Sequence, residues 1–112
     1  MEKQDLEKIE SDIINDWTEA DDLDDALDFL FMEKVSEFKI KFKDPLKVTE
    51  EEYRELLGNY DSSNSVSSNG ITIDQYTYDE DDDIMYKLEF TYRKEDNKIY
   101  IYEVQGWREK KK

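Results

Sequence analysis

The sequence predicts an α+β domain: two or three N-terminal helices packed on a C-terminal antiparallel sheet of three or four strands. Three observations predict it. Ile84, Tyr86, Leu88, Phe90 and Tyr92 alternate with Met85, Lys87, Glu89 and Thr91, the period of a half-buried strand. Two further β-prone runs, 71–78 and 98–105, flank that stretch. Before residue 58 the apolar residues instead recur at helical spacing.

Residues 2–18 read as the first helix, because Leu6, Ile9, Ile13 and Trp17 form one stripe while Lys3, Lys8 and Asp12 lie off it. A second helix is expected from Asp21 to about Ile40, with Leu23, Leu27, Leu30, Phe31, Val35 and Phe38 on its inner face. Asp21 or Asp22 caps it, and acids in a first turn suit the positive helix end. Phe38, Ile40 and Phe42 alternate with Lys39 and Lys41, so residues 34–42 read equally as helix or strand. Asp44-Pro45 ends either element, since the residue before proline avoids helical geometry.

Thr49-Glu50-Glu51-Glu52 has the form of a capping box. Val48 and Tyr53 make the accompanying hydrophobic staple, Tyr53, Leu56 and Leu57 face inward, and Gly58 supplies the stop. The Ser- and Asn-rich stretch 59–70 reads as a loop ending in the turn pair Asn69-Gly70.

In the sheet that follows (71–107), residues 79–83 form the first hairpin loop and place Tyr76 opposite Tyr86. A three-residue loop, Glu95-Asp96-Asn97, sets Tyr92 against Tyr100, Phe90 against Tyr102 and Leu88 against Val104, stacking apolar on apolar. A two-residue loop would set Phe90 against Glu103. In this register Ile71, Ile73, Ile99 and Ile101 lie on the opposite face. Residues 108–112 form a basic tail. The whole chain, 1–112, is one domain, with a helical part over 1–58.

Charge is the dominant functional signal. The chain carries 31 acids and 16 bases, a net charge of −15, with 42% charged and 37% hydrophobic residues. Eight Tyr, five Phe and two Trp supply the core that a disordered acidic tail lacks. The acids are clustered: residues 1–30 hold twelve against two bases, and residues 60–86 hold seven against none. Residues 31–59 are nearly balanced, and residues 87–112 carry eight bases against five acids. If the second helix and the first hairpin lie side by side, the two acidic zones merge. Such a surface repels nucleic acid and anionic membrane and attracts a basic protein.

No catalytic apparatus is legible. The chain has no His and no Cys, which removes the commonest general base, the commonest metal ligand and any disulfide. Asp79, Asp81 and Asp83 resemble the opening of an EF-hand loop, but its sixth and twelfth places are Ile84 and Phe90 where Gly and Glu are required. The expectation is a protein without enzymatic activity, metal or cofactor. No run reaches the roughly 18 apolar residues of a membrane span, and the N-terminus lacks a signal-peptide pattern, so a cytoplasmic location is expected.

The candidate partner-binding residues are Asp79, Glu80, Asp81, Asp82 and Asp83 at the hairpin tip and Asp21, Asp22, Asp24, Asp25 and Asp28 on the second helix, with Asp74, Tyr76 and Tyr78 on the strand before the tip. The plain alternative for these acids is capping plus a solvated face. Capping needs one or two, and five lie between positions 21 and 28. Residues along a strand advance about 3.3 Å each, close to the roughly 3.4 Å between phosphates along a DNA strand. Carboxylates on a hairpin and a neighbouring helix therefore match phosphate spacing. Tyr76, Tyr78 and Met85 add stacking surface.

Small size, absent Cys and His, acid excess with abundant Tyr, and helices preceding a sheet resemble phage-encoded inhibitors that act as nucleic-acid decoys, among them anti-CRISPR proteins. The resemblance implies an inhibitor that binds the cationic nucleic-acid-binding surface of a bacterial defence protein, of the Cas9 type or another nuclease, as a DNA mimic. The same character is similar to immunity proteins and antitoxins. A housekeeping interaction module without mimicry is the other alternative, with Ile99, Ile101 and Trp107 as its apolar face. The element order resembles cystatin-like and NTF2-like rolls, where helices wrap a curved antiparallel sheet.

Overall fold

The computed structural model describes residues 20–33 and 36–111, and the backbone of residues 8–14. In chain order the elements are β1 (Lys8–Ile14), α1 (Ala20–Met32), β2 (Glu37–Thr49), α2 (Glu50–Leu57), β3 (Ser62–Ser68), β4 (Ile71–Asp79), β5 (Ile84–Glu95) and β6 (Lys98–Lys110). The strands form one sheet in the order β1-β2-β6-β5-β4-β3. Only the β1–β2 pair is parallel.

This overturns the expected layout of two or three helices ahead of a small sheet. Among the described residues there are two helices, and strands stand before, between and after them. Lys8–Ile14 is a strand where a helix was expected, aligned with residues 37–42 of β2. The open edge of β2 supplies backbone partners that the weak helical stripe of residues 2–18 does not outweigh. Leu6 and Trp17 of that stripe lie outside the described residues. α1 ends at Met32, so 37–42 is strand, as its alternation allowed.

Pro45 does not end β2. The β2–β6 register shifts between Lys41 and Leu46, and Pro45 sits within that irregularity, where the ladder asks for no proline N–H. Residues 59–70 are not one loop. Ser62–Ser68 pairs with β4 as the exposed edge strand β3, and Asn69-Gly70 makes the turn with φ of 55° and 83°. That hairpin turn is the one the dipeptide predicts.

Both remaining hairpins differ in register from expectation. Tyr78, not Tyr76, faces Tyr86, so the tip loop is residues 80–83. The β5–β6 turn has two residues, Asp96 and Asn97, at φ 51° and 66°. The clash this implied for Phe90 is removed by a bulge: Tyr92 pairs with Ile101 and Thr91 with Glu103, leaving Tyr102 as the extra residue. Phe90 then faces Val104. The bulge also reverses the faces of the strand end, so Ile99 and Ile101 enter the core instead of forming an outer apolar patch. The basic tail is largely strand, with β6 running to Lys110.

Helices α1 and α2 cover one sheet face. Leu23, Leu27 and Leu30 of α1 and Tyr53, Leu56 and Leu57 of α2 join Phe38, Ile40, Leu46, Val48, Leu88, Phe90, Ile101 and Val104 in one core. The capping box holds α2 in place: Glu52 N–H donates to Thr49 Oγ1 at 3.0 Å and Thr49 N–H to Glu52 Oε1 at 2.9 Å. Gly58, at φ 61°, closes it.

Candidate functional site

The acidic residues concentrate on the helix layer. Asp21 and Asp22 fill the first turn of α1. Asp21 and Asp24 face Glu52 and Glu55 of α2 across a cleft floored by Ala20 and Leu56. Among the described residues no base lines that cleft. Asp24 registers the crowding. Its carboxyl is held above the usual range, first by burial and then by repulsion from Asp28, Asp25, Asp21 and Glu55. Glu52 and Glu55 were not among the candidate partner-binding residues; the sequence marked Glu52 only as part of the capping box. Their spacing of three on a helix marked a shared face, but nothing local said that α1 would lie opposite.

The cleft continues into a cavity of about 260 Å³ between the two helices and the sheet. Leu27, Leu57 and Leu88 line it with the rings of Phe31, Tyr78 and Tyr86, and Asp24, Asp28 and Glu55 add carboxylates. Tyr78 donates its hydroxyl to Leu57 O at 2.6 Å. Tyr86 is 4% exposed, and its hydroxyl has no hydrogen-bond partner among the described residues. An unpaired buried hydroxyl costs about 1–3 kcal/mol.

The hairpin tip adjoins this layer through Arg108. Its guanidinium pairs with Glu80 at 2.5 Å, donates to Phe31 O at the end of α1 at 3.0 Å, and lies over the Phe31 and Tyr86 rings at 5.3 and 4.7 Å. Arg108 therefore links the hairpin tip to the C-terminal end of α1. Of the other tip acids, Asp79 meets Lys111 Nζ at 3.3 Å. Asp81 Oδ1 accepts from the N–H groups of Asp83 and Ile84 at 2.8 and 2.9 Å, which shapes the turn. Asp82 and Asp83 are exposed, as are Asp25 and Asp28 on α1.

Asp74 and Tyr76 are not at the surface. Asp74 is 7% exposed, and its Oδ2 accepts from the hydroxyls of Tyr53, Tyr76 and Tyr92, each at 2.9 Å. Ser65 of β3 donates to Oδ1 at 2.6 Å. The buried carboxylate thus joins α2, β3, β4 and β5 through hydroxyls. An acid in phase with Tyr76 and Tyr78 on one strand face was the available signal for this.

No helix among the described residues is long and apolar enough to cross a membrane. Nor does any group of three or more of their acids stand where it could hold a metal ion. Fold and surface define a class: a six-stranded sheet covered on one face by two helices, with carboxylates from both helices gathered along the groove between them.

The chain belongs to the family described as protein of unknown function DUF1374, which matches residues 19–109. It is 39% identical over 95 residues to uncharacterized protein 102 of Sulfolobus islandicus rod-shaped virus 1, covering 83% of this chain and 92% of that protein. It is 36% identical over 82 residues to uncharacterized protein ORF99 of Acidianus filamentous virus 1, covering 72% of this chain and 81% of that one. A solved structure, described as the thermo- and acido-stable ORF-99 from the archaeal virus AFV1, matches with a TM-score of 0.75 at 31% identity, over 83% of this chain and 94% of the other. These relatives are proteins of archaeal viruses.

Proposed function

We propose that this protein is a non-enzymatic inhibitor that occupies the cationic nucleic-acid-binding surface of a host defence protein, a CRISPR nuclease or another nuclease, in the manner of a DNA mimic. The observation that carries this reading is the groove where Asp21 and Asp24 of α1 meet Glu52 and Glu55 of α2, with no base lining it among the described residues. Asp24, crowded by neighbouring carboxylates, gains a charge-assisted hydrogen bond when a Lys or Arg arrives. The archaeal-virus relatives favour an archaeal cell as the host, in place of a bacterial one. The hairpin tip takes a secondary place, since Arg108 and Lys111 already engage Glu80 and Asp79.

The test is capture of the partner from host lysate at low and high salt, followed by competition with duplex DNA. Capture that DNA and salt both abolish is the expected result. Neutralising Asp21, Asp24, Asp25 and Asp28 to Asn slows association and flattens its salt dependence. Capture that DNA leaves untouched favours the immunity-protein or interaction-module reading and ends the mimic.

A further inference from the structure

We infer that β3 is a docking edge for a second copy of this chain, the two β3 strands pairing antiparallel across a two-fold axis so that one sheet runs through both copies. Among the described residues β3 ends the sheet, so the N–H and C=O groups along its outer side face no strand. All seven of its residues are exposed, and none joins the core. The strand is nevertheless held in place. Its register with β4 runs from Ser62 to Ser68 without a shift, and Ser65 donates to the buried carboxylate of Asp74 at 2.6 Å. Edge strands are ordinarily blunted by a lysine, a proline or a bulge. β3 has none of these. The opposite edge strand, β1, carries Lys8, Glu10 and Asp12.

Charge selects the occupant. Residues 62–73 hold no charged side chain, in a chain that is 42% charged and has a net charge of −15. A basic partner finds no carboxylate along this edge. A second copy, repelled by the acidic zones, finds no like charge here. Self-pairing is also closed: an antiparallel pair of identical strands has two-fold symmetry, so each contact is made twice and neither β3 edge stays open. Val66, 60% exposed, and its β4 partner Ile73, 39% exposed, give the junction an apolar pair on the sheet face away from the helices. Antiparallel pairing about this axis presents the same sheet face in both copies. Both helix layers, with their acidic grooves, then lie on one side of the joined sheet. The pairing does not depend on the proposed function.

The experiment is sedimentation equilibrium of the full chain, joined to hydrogen exchange at several protein concentrations. A monomer–dimer equilibrium is expected between about 10 μM and about 1 mM, since one strand edge is a small interface. Added salt should tighten it by screening the repulsion between copies. Amide exchange over residues 62–68 should slow as concentration rises, while exchange in β1 stays constant. Asn64→Glu combined with Val66→Glu sets like charges opposite one another across the pair and should weaken the dimer about tenfold. Asn64→Thr combined with Val66→Thr keeps the strand uncharged and should change it by less than about twofold. Both sites are exposed, and circular dichroism matching the parent's checks that each variant keeps its fold. A monomer throughout the range, a dimer that salt dissociates or that the glutamate pair leaves unchanged, or protection confined to β1 or α1 overturns the pairing. A β3 that stays open in the pure protein and is protected only by a captured host protein overturns it as well, and gives the edge to that protein.

Discussion

Tyr53 of α2 donates its hydroxyl to Oδ2 of Asp74, in the middle of β4, at 2.9 Å. Tyr53 also packs edge-on against Phe90 and Tyr92, with centroids 5.3 and 5.2 Å apart. This polar contact inside an aromatic cluster helps to hold α2, and with it one wall of the acidic groove, against the sheet. The Tyr53 phenol is held well above its ordinary range by burial first and by its Tyr76 and Asp74 neighbours next.

Removing the carboxylate strands the hydroxyls that depend on it. Asp74→Leu is expected to cost about 3 kcal/mol, because three tyrosine hydroxyls lose a charged acceptor in the interior. Ser65→Ala, which unties the edge strand alone, costs about 1 kcal/mol. Urea midpoints measure both. Hydrogen exchange in β3 should quicken in each variant. A midpoint for Asp74→Leu equal to that of the parent would remove the network from the stability account.

Alkali should unfold the protein. Tyr53, Tyr76, Tyr78, Tyr86 and Tyr92 are each raised above their ordinary value of 10.0, with burial the largest cause. The native state holds these protons after the unfolded chain has released them. Stability from this source is whole below pH 10.0 and is lost as pH climbs past it. The part of the tyrosinate absorbance that these five contribute should appear together with the loss of circular dichroism, in one transition. Ionisation of these five while the fold persists would contradict this.

Asp24 acts in the opposite sense. Asp24 lies above its ordinary 3.8 in the folded chain, so its charged form opposes folding at neutral pH and its protonation favours it. Asp24→Asn should be more stable than the parent at about pH 7, and the gap should close by about pH 3. Added salt should narrow it as well. A gap that ignores both pH and salt would mean that packing, and neither the burial of the charge nor its repulsion by neighbours, is at work.

Gly106 gives the sheet its close approach to Phe38. A Cβ there would stand 2.5 Å from Phe38 Cε2, 2.7 Å from Phe38 Cζ and 3.1 Å from Leu88 Cδ2. Phe38 is only 2% exposed and has little room to yield. Gly106→Ala should lose about 1–3 kcal/mol by overpacking. Gly106→Ala with Phe38→Leu should recover part of that loss, read as a coupling between the two changes.

The unpartnered Tyr86 hydroxyl predicts a gain instead. Tyr86→Phe removes a buried polar atom with no partner among the described residues and should raise stability by about 1 kcal/mol. A thermal melt checks it.

The sequence by itself determined what neighbouring residues settle. Thr49 and Glu52 are three residues apart and cap each other's amides whatever the rest of the chain does. Asn69-Gly70 accepts positive φ without help from elsewhere. The alternation from Ile84 to Tyr92 follows from the pleat of a single strand. The excess of carboxylates and the absence of His and Cys are composition and need no fold. Tertiary structure decided whatever depends on a distant open backbone edge or on two elements meeting. β1 and β3 are strands because β2 and β4 offer edges for Lys8–Ile14 and Ser62–Ser68 to pair with. The bulge at Tyr102 lets a two-residue turn coexist with Phe90 facing Val104, and it alone turns Ile99 and Ile101 inward. The meeting of Asp24 with Glu55, and the burial of Asp74 among three tyrosines, join residues 31 and up to 21 positions apart. Such contacts arise from the packing of layers, and the spacing of residues along one element carries no record of them.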